Sequence, residues 1–329
     1  MRETVRIAGV LCCVVMLAGA LLLSMEAPAQ APAAAKAAPA NAQLQRGRYL
    51  VENVMICFAC HSEGNWKADG RPLPGKKGAG AYFPDETVPF RIVAPNVTPD
   101  RDTGLGAWTD QEISRAIREG IGRDGRRLFP VMPYLNFRHM SDADLAAVIA
   151  YLRSVPPVRS SLPKTPVPDP FKAMIPPPMP LRGPVPSPNM NDPVKRGEYL
   201  VAMADCVTCH TPVTEKGEPR MDLAFSGGRL LKGPWGTVSS ANITPDASGI
   251  SYYDEKMFVQ MMRTGRVGGV RKLNPIMLTG YFRGMTEEDL RAIFAYLKTL
   301  KPVAHRVDNT EKPTFCRRCG GTHGLGEKN

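Results

Sequence analysis

The sequence predicts an all-α fold in which one helical unit is used twice. The segment RGRYLVENVMICFACH, which starts at Arg46, is echoed by RGEYLVAMADCVTCH, which starts at Arg196. A second segment from Leu128 aligns without a gap on one from Leu273, at a constant offset of 145 residues. Such internal similarity indicates a duplicated structural unit. No stretch shows the sustained alternation of apolar and polar residues that is typical of strands.

The sequence pattern of each repeat predicts a first helix, a Cys-His loop, a middle helix, a Met loop and a closing helix. Residues 44–55 form the first helix, with Gly47 where another backbone can approach closely. Residues 109–120 form the middle helix. Ser141 and Asp144, three residues apart, mark the start of the closing helix. The apolar stripe of that helix is Leu145, Val148, Ile149 and Leu152, matched in the second repeat by Leu290, Ile293, Phe294 and Leu297.

The N-terminus is typical of exported proteins. Arg2 and Arg6 precede an apolar run that is followed by small residues, so residues 1–29 are predicted to be a signal peptide. The run is long for that role, and retention as an uncleaved anchor stays an alternative. Residues 30–43 form an Ala/Pro-rich tether with too few large apolar side chains to order themselves.

A proline-rich linker separates the two repeats. Residues 156–193 contain 14 prolines, which predicts an extended, semi-rigid segment without helix or central strand. The expected domains are therefore residues 44–155 and 194–305, followed by a C-terminal tail, 306–329.

The pattern Cys-x-x-Cys-His occurs once in each repeat, as CFACH and CVTCH. Two thiols at this spacing can form thioether bonds to haem, and the adjacent His can bind the iron. A redox dithiol does not require that His, and a zinc site needs further ligands close by. The sequence therefore predicts two covalently bound haem c groups. The residues are Cys57, Cys60 and His61 in the first repeat, and Cys206, Cys209 and His210 in the second.

Each iron needs a second axial ligand, and the gapless alignment indicates Met132 and Met277. Both lie two residues after a proline, downstream of the haem motif. A thioether ligand favours reduced iron and raises the haem potential. The competing interpretation is that both are ordinary core methionines.

The other histidines are weaker candidates. His139 aligns with Gly284, so the second repeat has no equivalent, and His305 is expected to be a surface residue. In the tail, Cys316, Cys319 and His323 do not have haem-motif spacing. A small disulfide loop is the favoured interpretation, with a metal site as the alternative.

The chain carries 42 basic and 31 acidic residues, a formal charge of +11. This excess suits docking to an acidic redox partner or to anionic lipid head groups. No basic-aromatic module accompanies the charge, which argues against a nucleic-acid partner.

The combination of RGxYLV, the haem motif, NxTPD, TGLGAWTD, FPVMPY and a helix ending AYLRSVPPV resembles the c-type cytochrome subunits of membrane-associated bacterial alcohol and gluconate dehydrogenases. The resemblance covers nearly all of residues 44–305. It implies two tandem class I-like cytochrome c domains with the axial and thioether residues named above. The best-known members carry three haem domains, whereas this chain has two, and its second repeat has drifted.

The resemblance also implies a function. We expect a dihaem relay subunit without catalytic residues of its own. It takes electrons from the catalytic subunit of a periplasmic dehydrogenase and passes them to quinone or a terminal oxidase. The expected location is the periplasm, with membrane association through the N-terminus or a partner left open. The alternative is a dihaem enzyme, peroxidase-like or thiosulfate-oxidising, with one catalytic haem. That alternative needs an acid, base or Cys ligand near one haem only, and His139 is the nearest candidate.

Overall fold

The computed structural model describes residues 40–307 apart from 85 and 270, and the short strands at 314–315 and 322–323. The predicted signal peptide, residues 30–39 of the predicted tether, and Cys316 and Cys319 lie outside the described residues. His323 is described only as part of a strand. None of the described helices is both long enough and apolar enough to cross a lipid bilayer.

Helices form the framework of the first repeat. The first helix begins at Ala40, so the end of the predicted tether is helical. The middle helix has Thr109 as its N-cap, and the closing helix has Ser141, as the sequence predicts. The helices are α1 (Ala40–Tyr49), α2 (Cys57–Cys60), α3 (Asp110–Glu119), α4 (Tyr134–Phe137) and α5 (Asp142–Ser154).

A π-helical turn, Leu50–Val54, continues α1 toward the first haem motif. The first repeat has one more residue than the second between its RGxY segment and its first Cys. A π turn accommodates a single extra residue in a helix without breaking it. The corresponding helix of the second repeat has no such turn. The insertion therefore leaves both haem motifs at the end of an equivalent helix.

The proline-rich linker is extended except for one short helix, α6 (Asp169–Lys172). That helix was not predicted. Pro170 lies in its first turn, where a missing N–H costs no hydrogen bond. Thr165 exchanges hydrogen bonds with the backbone of Val93, and Phe171 packs edge-on against Phe90. The linker thus follows the surface of the first repeat.

The second repeat has the same order of helices. Asp192, Asp254 and Thr286 cap three of its helices by accepting hydrogen bonds from backbone N–H groups. The helices are α7 (Pro193–Met203), α8 (Cys206–His210), α9 (Glu255–Thr264), α10 (Thr279–Phe282) and α11 (Glu287–Thr299).

In each repeat the first helix crosses the closing helix at a glycine. A Cβ atom added to Gly47 would lie 1.9 Å from the carbonyl oxygen of Ala147, and one added to Gly197 would lie 1.9 Å from that of Ala292. No side chain fits at these crossings. The prediction of a close backbone approach at Gly47 is confirmed.

Short antiparallel strand pairs accompany the helices, which the all-α prediction did not include. Each strand has two to four residues, too few to show a readable alternation of polar and apolar positions. The pairs in the described residues are β1 (Ala81–Phe83) with β2 (Ile92–Ala94), β3 (Leu230–Gly233) with β4 (Gly236–Ser239), β5 (Arg266–Val267) with β6 (Arg271–Lys272), and β7 (Thr314–Phe315) with β8 (Thr322–His323).

One hydrophobic core runs through both repeats. Leu50 and Val148 of the first repeat belong to the same buried cluster as Leu200 and Leu290 of the second. A second cluster joins Trp66 to Trp235, whose ring centroids are 5.3 Å apart. The predicted apolar stripes of the two closing helices lie in this core. The repeats therefore pack on each other as well as through the linker.

A reciprocal pair of tyrosine contacts joins the repeats. Tyr49 on α1 donates a hydrogen bond to Asp289 on α11. Tyr199 on α7 donates to Asp144 on α5, with 2.7 Å between oxygens. Each aspartate also forms an ion pair with the arginine of its own RGxY segment, Arg46 with Asp144 and Arg196 with Asp289. The arginine of that motif thus binds its own repeat, and the tyrosine binds the other one.

Candidate haem-binding site

The two haem motifs open into one cavity of about 1770 Å³. Small-molecule sites typically occupy about 300–1,000 Å³, so this cavity is larger than one such ligand needs. Its lining is largely apolar and comes from both repeats. The cavity is lined by all eight residues that the sequence singles out, namely Cys57, Cys60, His61, Met132, Cys206, Cys209, His210 and Met277.

Each Cys-x-x-Cys-His segment forms a single helical turn. Residues three apart in a helix lie on the same face, so the turn presents both thiols of a motif together. The residue before the first Cys adopts a left-handed conformation in both repeats, with φ of 47° at Ile56 and 54° at Asp205. Non-glycine residues pay for this conformation, and it is concentrated at functional sites. A residue in this strained left-handed conformation therefore precedes both haem motifs, although the amino acids differ.

Both histidines are buried and held by a carbonyl group. Nδ1 of His61 lies 2.7 Å from the oxygen of Pro95, and Nδ1 of His210 lies 2.7 Å from that of Ala241. A carbonyl can only accept, so Nδ1 carries the proton and Nε2 keeps the lone pair that metal binding requires. Burial lowers the pKa of both imidazoles, and the bond to the carbonyl partly opposes this. Both histidines are therefore neutral, the form that binds a metal.

The duplicated NxTPD segment holds those carbonyl groups in place. Pro95 directly precedes Asn96, whose Oδ1 accepts hydrogen bonds from the N–H and hydroxyl of Thr98, at 2.9 and 2.8 Å. Its Nδ2 donates to the carbonyl of Val158, just after the closing helix. Asn242 makes the same three kinds of contact in the second repeat. The segment thus ties the histidine's acceptor to the end of the closing helix.

The candidate axial methionines lie in equivalent loops. The N–H of Met132 donates to the carbonyl of Phe129, and that of Met277 donates to the carbonyl of Asn274. The loops differ in detail, because Met277 ends a 3₁₀ turn capped by Asn274. Both methionines line the cavity and are only partly buried by protein.

The short helix after each methionine contacts the other repeat. Asn136, four residues after Met132, donates a hydrogen bond to Asp205, the residue before Cys206. In the other direction, the hydroxyl of Tyr281 donates to the carbonyl of Gly70 at 3.0 Å. Arg71 donates to the carbonyl of Gly280. The two sites are therefore built partly from each other's repeat.

The motif cysteines lie in an apolar environment. Burial raises the pKa of Cys57, Cys60 and Cys206 to about 12. These thiols therefore stay protonated near neutral pH and are poor redox nucleophiles, in contrast to the depressed pKa of a catalytic dithiol.

The residues present fit a haem. A large apolar cavity suits the macrocycle, and the Cys and His residues are of the types that would hold it, by thioether bonds and by an imidazole on the iron. The indole Nε1 of Trp235 is buried and has no hydrogen-bond partner among the described residues, and Trp235 lines the cavity. A buried donor requires an acceptor, and a haem carboxylate is a suitable one.

The remaining predicted histidines take no part in the cavity. His139 is exposed and does not line it. His305 is not the surface residue that was expected, because it is partly buried with Nδ1 3.0 Å from the carbonyl oxygen of Ser226. The disulfide and metal interpretations of the tail fall outside the described residues.

A family model for cytochrome c matches residues 44–156 and 194–301. Together the two matches cover more than half of the chain. The chain belongs to the cytochrome c family. This membership implies covalently bound haem c, in agreement with the cavity and the two Cys-His motifs.

Several relatives are named as subunits of dehydrogenases. The chain is 30% identical to the fructose dehydrogenase cytochrome subunit of Gluconobacter japonicus over 276 residues, which is 80% of this chain and 54% of that protein. It is 31% identical to the cytochrome c subunit of the quinone alcohol dehydrogenase of Gluconacetobacter polyoxogenes over 288 residues, 80% of this chain and 57% of that protein. The chain thus spans little more than half the length of these two relatives.

A third relative is closer to this chain in length. It is a dihaem cytochrome c-type protein of Cereibacter sphaeroides, 26% identical over 264 residues, which is 75% of this chain and 82% of that protein. Because the first two relatives are named as dehydrogenase cytochrome subunits, the resemblance to the cytochrome c subunits of bacterial dehydrogenases is confirmed.

The NxTPD and RGxY segments have roles in the structure that the sequence did not predict. Asn96 and Asn242 support the histidine acceptors, while Tyr49 and Tyr199 connect the repeats. Their repetition in the two halves was the available signal. Asn136 and Asp205 could not have been found in this way, because the contact joins non-equivalent positions.

Proposed function

We propose that this chain is a periplasmic dihaem relay subunit that carries electrons from a dehydrogenase catalytic subunit to quinone or a terminal oxidase. The observation that carries the proposal is the duplicated site, in which each repeat directs a buried His and a Met into the same cavity. The relatives named as dehydrogenase cytochrome subunits support this role.

In this proposal the chain holds two haem c groups. Cys57 and Cys60 form the thioether bonds in the first repeat, and Cys206 and Cys209 form those in the second. The axial ligands are His61 with Met132, and His210 with Met277. Haem iron ligated by His and Met gains and loses a single electron at relatively high potential, which is the chemistry of a relay.

The protein's own residues serve this chemistry by fixing positions. The carbonyl groups of Pro95 and Ala241 orient the two imidazoles, and the apolar lining excludes water. Because residues of both haem motifs line the same cavity, the two sites are neighbours within the described part of the chain. This arrangement suits the transfer of electrons from one site to the other.

The test combines attachment and potential. Mass spectrometry of the purified protein should show two haem groups, and Cys57→Ser or Cys206→Ser should impair attachment in the altered repeat. Met132→Ala and Met277→Ala should each lower the midpoint potential of one haem while both haems remain attached. Unchanged potentials in both methionine variants would show that the axial assignment is wrong.

A further inference from the structure

The proline-rich linker contributes to the lining of the haem-motif cavity. Leu162, Pro163, Val167 and Ile175 are linker residues that line this cavity together with the first haem motif. A segment that only joined two domains would need no side chain in a cofactor cavity. The linker therefore belongs to the first-repeat site as well as to the connection between the repeats.

On the histidine side of this site, the linker contacts two segments that position His61. Leu162 packs over Gly80, since a Cβ atom added to Gly80 would lie 2.8 Å from Cδ1 of Leu162. The N–H of Gly80 donates to the carbonyl of His61 at 2.9 Å. The hydroxyl of Thr165 accepts from the N–H of Val93 at 2.9 Å and donates to its carbonyl at 3.2 Å. Val93 lies on β2, the strand that leads to the acceptor of the His61 imidazole.

On the methionine side, an aromatic stack joins the linker to the loop that carries Met132. Phe171 on α6 packs edge-on against Phe90, with 5.1 Å between ring centroids. Phe90 in turn packs edge-on against Phe129, with 5.3 Å between centroids. The carbonyl of Phe129 accepts a hydrogen bond from the N–H of Met132. The stack therefore reaches from the linker to the backbone of the candidate axial ligand.

Polar contacts attach the linker to the same part of the first repeat. Arg127 donates hydrogen bonds to the carbonyl groups of Ile175 and Pro176, at 3.3 and 3.0 Å. Lys164 forms an ion pair with Asp124. Asp124 and Arg127 both line the cavity and lie between the middle helix and the candidate axial methionine. Aromatic packing, hydrogen bonds and an ion pair thus fix the linker to one loop.

The composition of the linker suits a segment that is held in one conformation. Prolines occupy positions 163, 166, 168 and 170. Each proline ring fixes φ and reduces the conformational freedom that ordering removes. A segment that is already restricted in this way is ordered at a smaller entropic cost. A modest set of contacts is therefore enough to hold this part of the linker in place.

We infer that residues 162–176 of the linker form a wall of the first-repeat haem site and hold the loop that carries Met132 in place. Phe171 is the main positioning residue, because the aromatic stack connects it to the carbonyl that binds the Met132 N–H. The inference deepens the proposed function and rests on it, since it takes Met132 to be an axial ligand. The linker would thus limit the access of water and of small ligands to the first iron.

This role has a measurable consequence for ligand exchange. An external ligand reaches a methionine-ligated iron only when the methionine leaves, which requires its loop to open locally. The frequency of such openings depends on how well the loop is packed. Greater access of water also changes the haem potential, and it favours the more highly charged ferric iron. Loosening the linker should therefore speed ligand binding and lower the potential at the first haem.

The experiment uses the full-length ferric protein with haem attached, and imidazole as the ligand that replaces methionine. Binding is followed through loss of the weak near-infrared absorption band of methionine-ligated ferric haem. The test variant is Phe171→Ala. Met174→Ala is the matched control, because Met174 is also a partly buried apolar linker residue but packs near Gly217 of the second repeat and does not line the cavity. Met132→Ala identifies the kinetic phase that belongs to the first haem.

We expect imidazole to bind the first haem about tenfold faster in Phe171→Ala, because the loop loses an aromatic contact. Thr165→Val, a second variant that loses the hydrogen bonds to Val93, should give an increase of about threefold. Met174→Ala should change this rate by less than about twofold, and the second haem should be unaffected in all three variants. The midpoint potential of the first haem should fall in Phe171→Ala alone. Equal first-haem rates in Phe171→Ala and Met174→Ala would overturn the inference.

Hydrogen exchange of backbone amides separates this inference from the proposed axial ligation. Phe171→Ala should speed exchange in residues 129–134, and Met174→Ala should not. If the wild type lacks the methionine absorption band at the first haem, the proposed ligation fails and exchange alone decides the inference. Faster exchange in Phe171→Ala then upholds the linker as the wall that holds this loop, and unchanged exchange overturns it. Where the band is present, faster exchange without faster imidazole binding shows a merely structural role and contradicts the inference.

Discussion

Removing the hydroxyl of Tyr49 should weaken the packing of the two repeats on each other and lower the free energy of unfolding by a predictable amount. In the native protein that hydroxyl donates to the buried carboxylate of Asp289 and accepts a hydrogen bond from the N–H of Thr286 at 3.1 Å. A hydrogen bond to a charged group contributes about 1.5–3 kcal/mol. Because Asp289 retains its ion pair with Arg196, we expect Tyr49→Phe to lower the free energy of unfolding by about 2 kcal/mol.

The assay is urea denaturation of the haem-loaded protein, followed by circular dichroism and by haem absorbance. Tyr199→Phe provides the matched variant, because its hydroxyl makes the equivalent contacts to Asp144 and Ser141. Tyr252→Phe is the control, since that side chain is largely exposed, and it should change stability by no more than about 0.5 kcal/mol. Losses below about 0.5 kcal/mol for both Tyr49→Phe and Tyr199→Phe would refute the reasoning.

The pH dependence of the same variant provides an independent test. Burial, together with the hydrogen bond to Asp289, raises the pKa of Tyr49 from 10.0 to about 12. A raised pKa in the folded state gives a contribution that is complete below pH 10 and is lost as the pH rises toward 12. The stability difference between wild type and Tyr49→Phe should therefore be constant up to about pH 10 and shrink above it.

Three further substitutions test other parts of the structure. Gly47→Ala places a Cβ 1.9 Å from a carbonyl oxygen and should cost about 3 kcal/mol or more, measured by denaturation. Asn96→Ala leaves buried partners unsatisfied and should cost about 3 kcal/mol, with a change in the absorbance of the first-repeat haem because the His61 acceptor loosens. Burial raises the pKa of Asp205 from 3.8 to about 6, so the wild type should lose stability relative to Asp205→Asn as the pH rises through that interval. A pH-independent difference would contradict the buried position of that carboxyl.

Much of the helical framework was predictable because local signals and the duplication agree. The caps at Ser141 and Thr286 are formed, each accepting from the backbone N–H three residues later. The aspartate three residues after each cap was predicted to take part in capping. In the structure, the carboxylates of Asp144 and Asp289 instead contact arginine and tyrosine side chains. Sequence spacing identifies the cap residue. It does not show which distant side chains will contact the aspartate beside it.

The features that sequence reasoning missed depend on tertiary contacts. The pairing of β3 with β4 involves four residues in each strand, and the helix at Asp169–Lys172 lies among prolines that argued against any helix. The cavity is lined from both repeats, and Trp66 and Trp235 pack on each other at its wall, a contact that no local pattern encodes. The Cys and His residues that line the cavity could be named in advance because the spacing of the haem motif singles them out.

The central claim is that both repeats hold a His/Met-ligated haem and that the chain relays electrons. A redox titration of the purified haem-loaded protein, monitored by optical and EPR spectroscopy, tests it most directly. We predict two low-spin haems, each with methionine ligation and a fairly high midpoint potential. A high-spin haem, or one without methionine ligation, would contradict the relay and favour a dihaem enzyme with one catalytic iron.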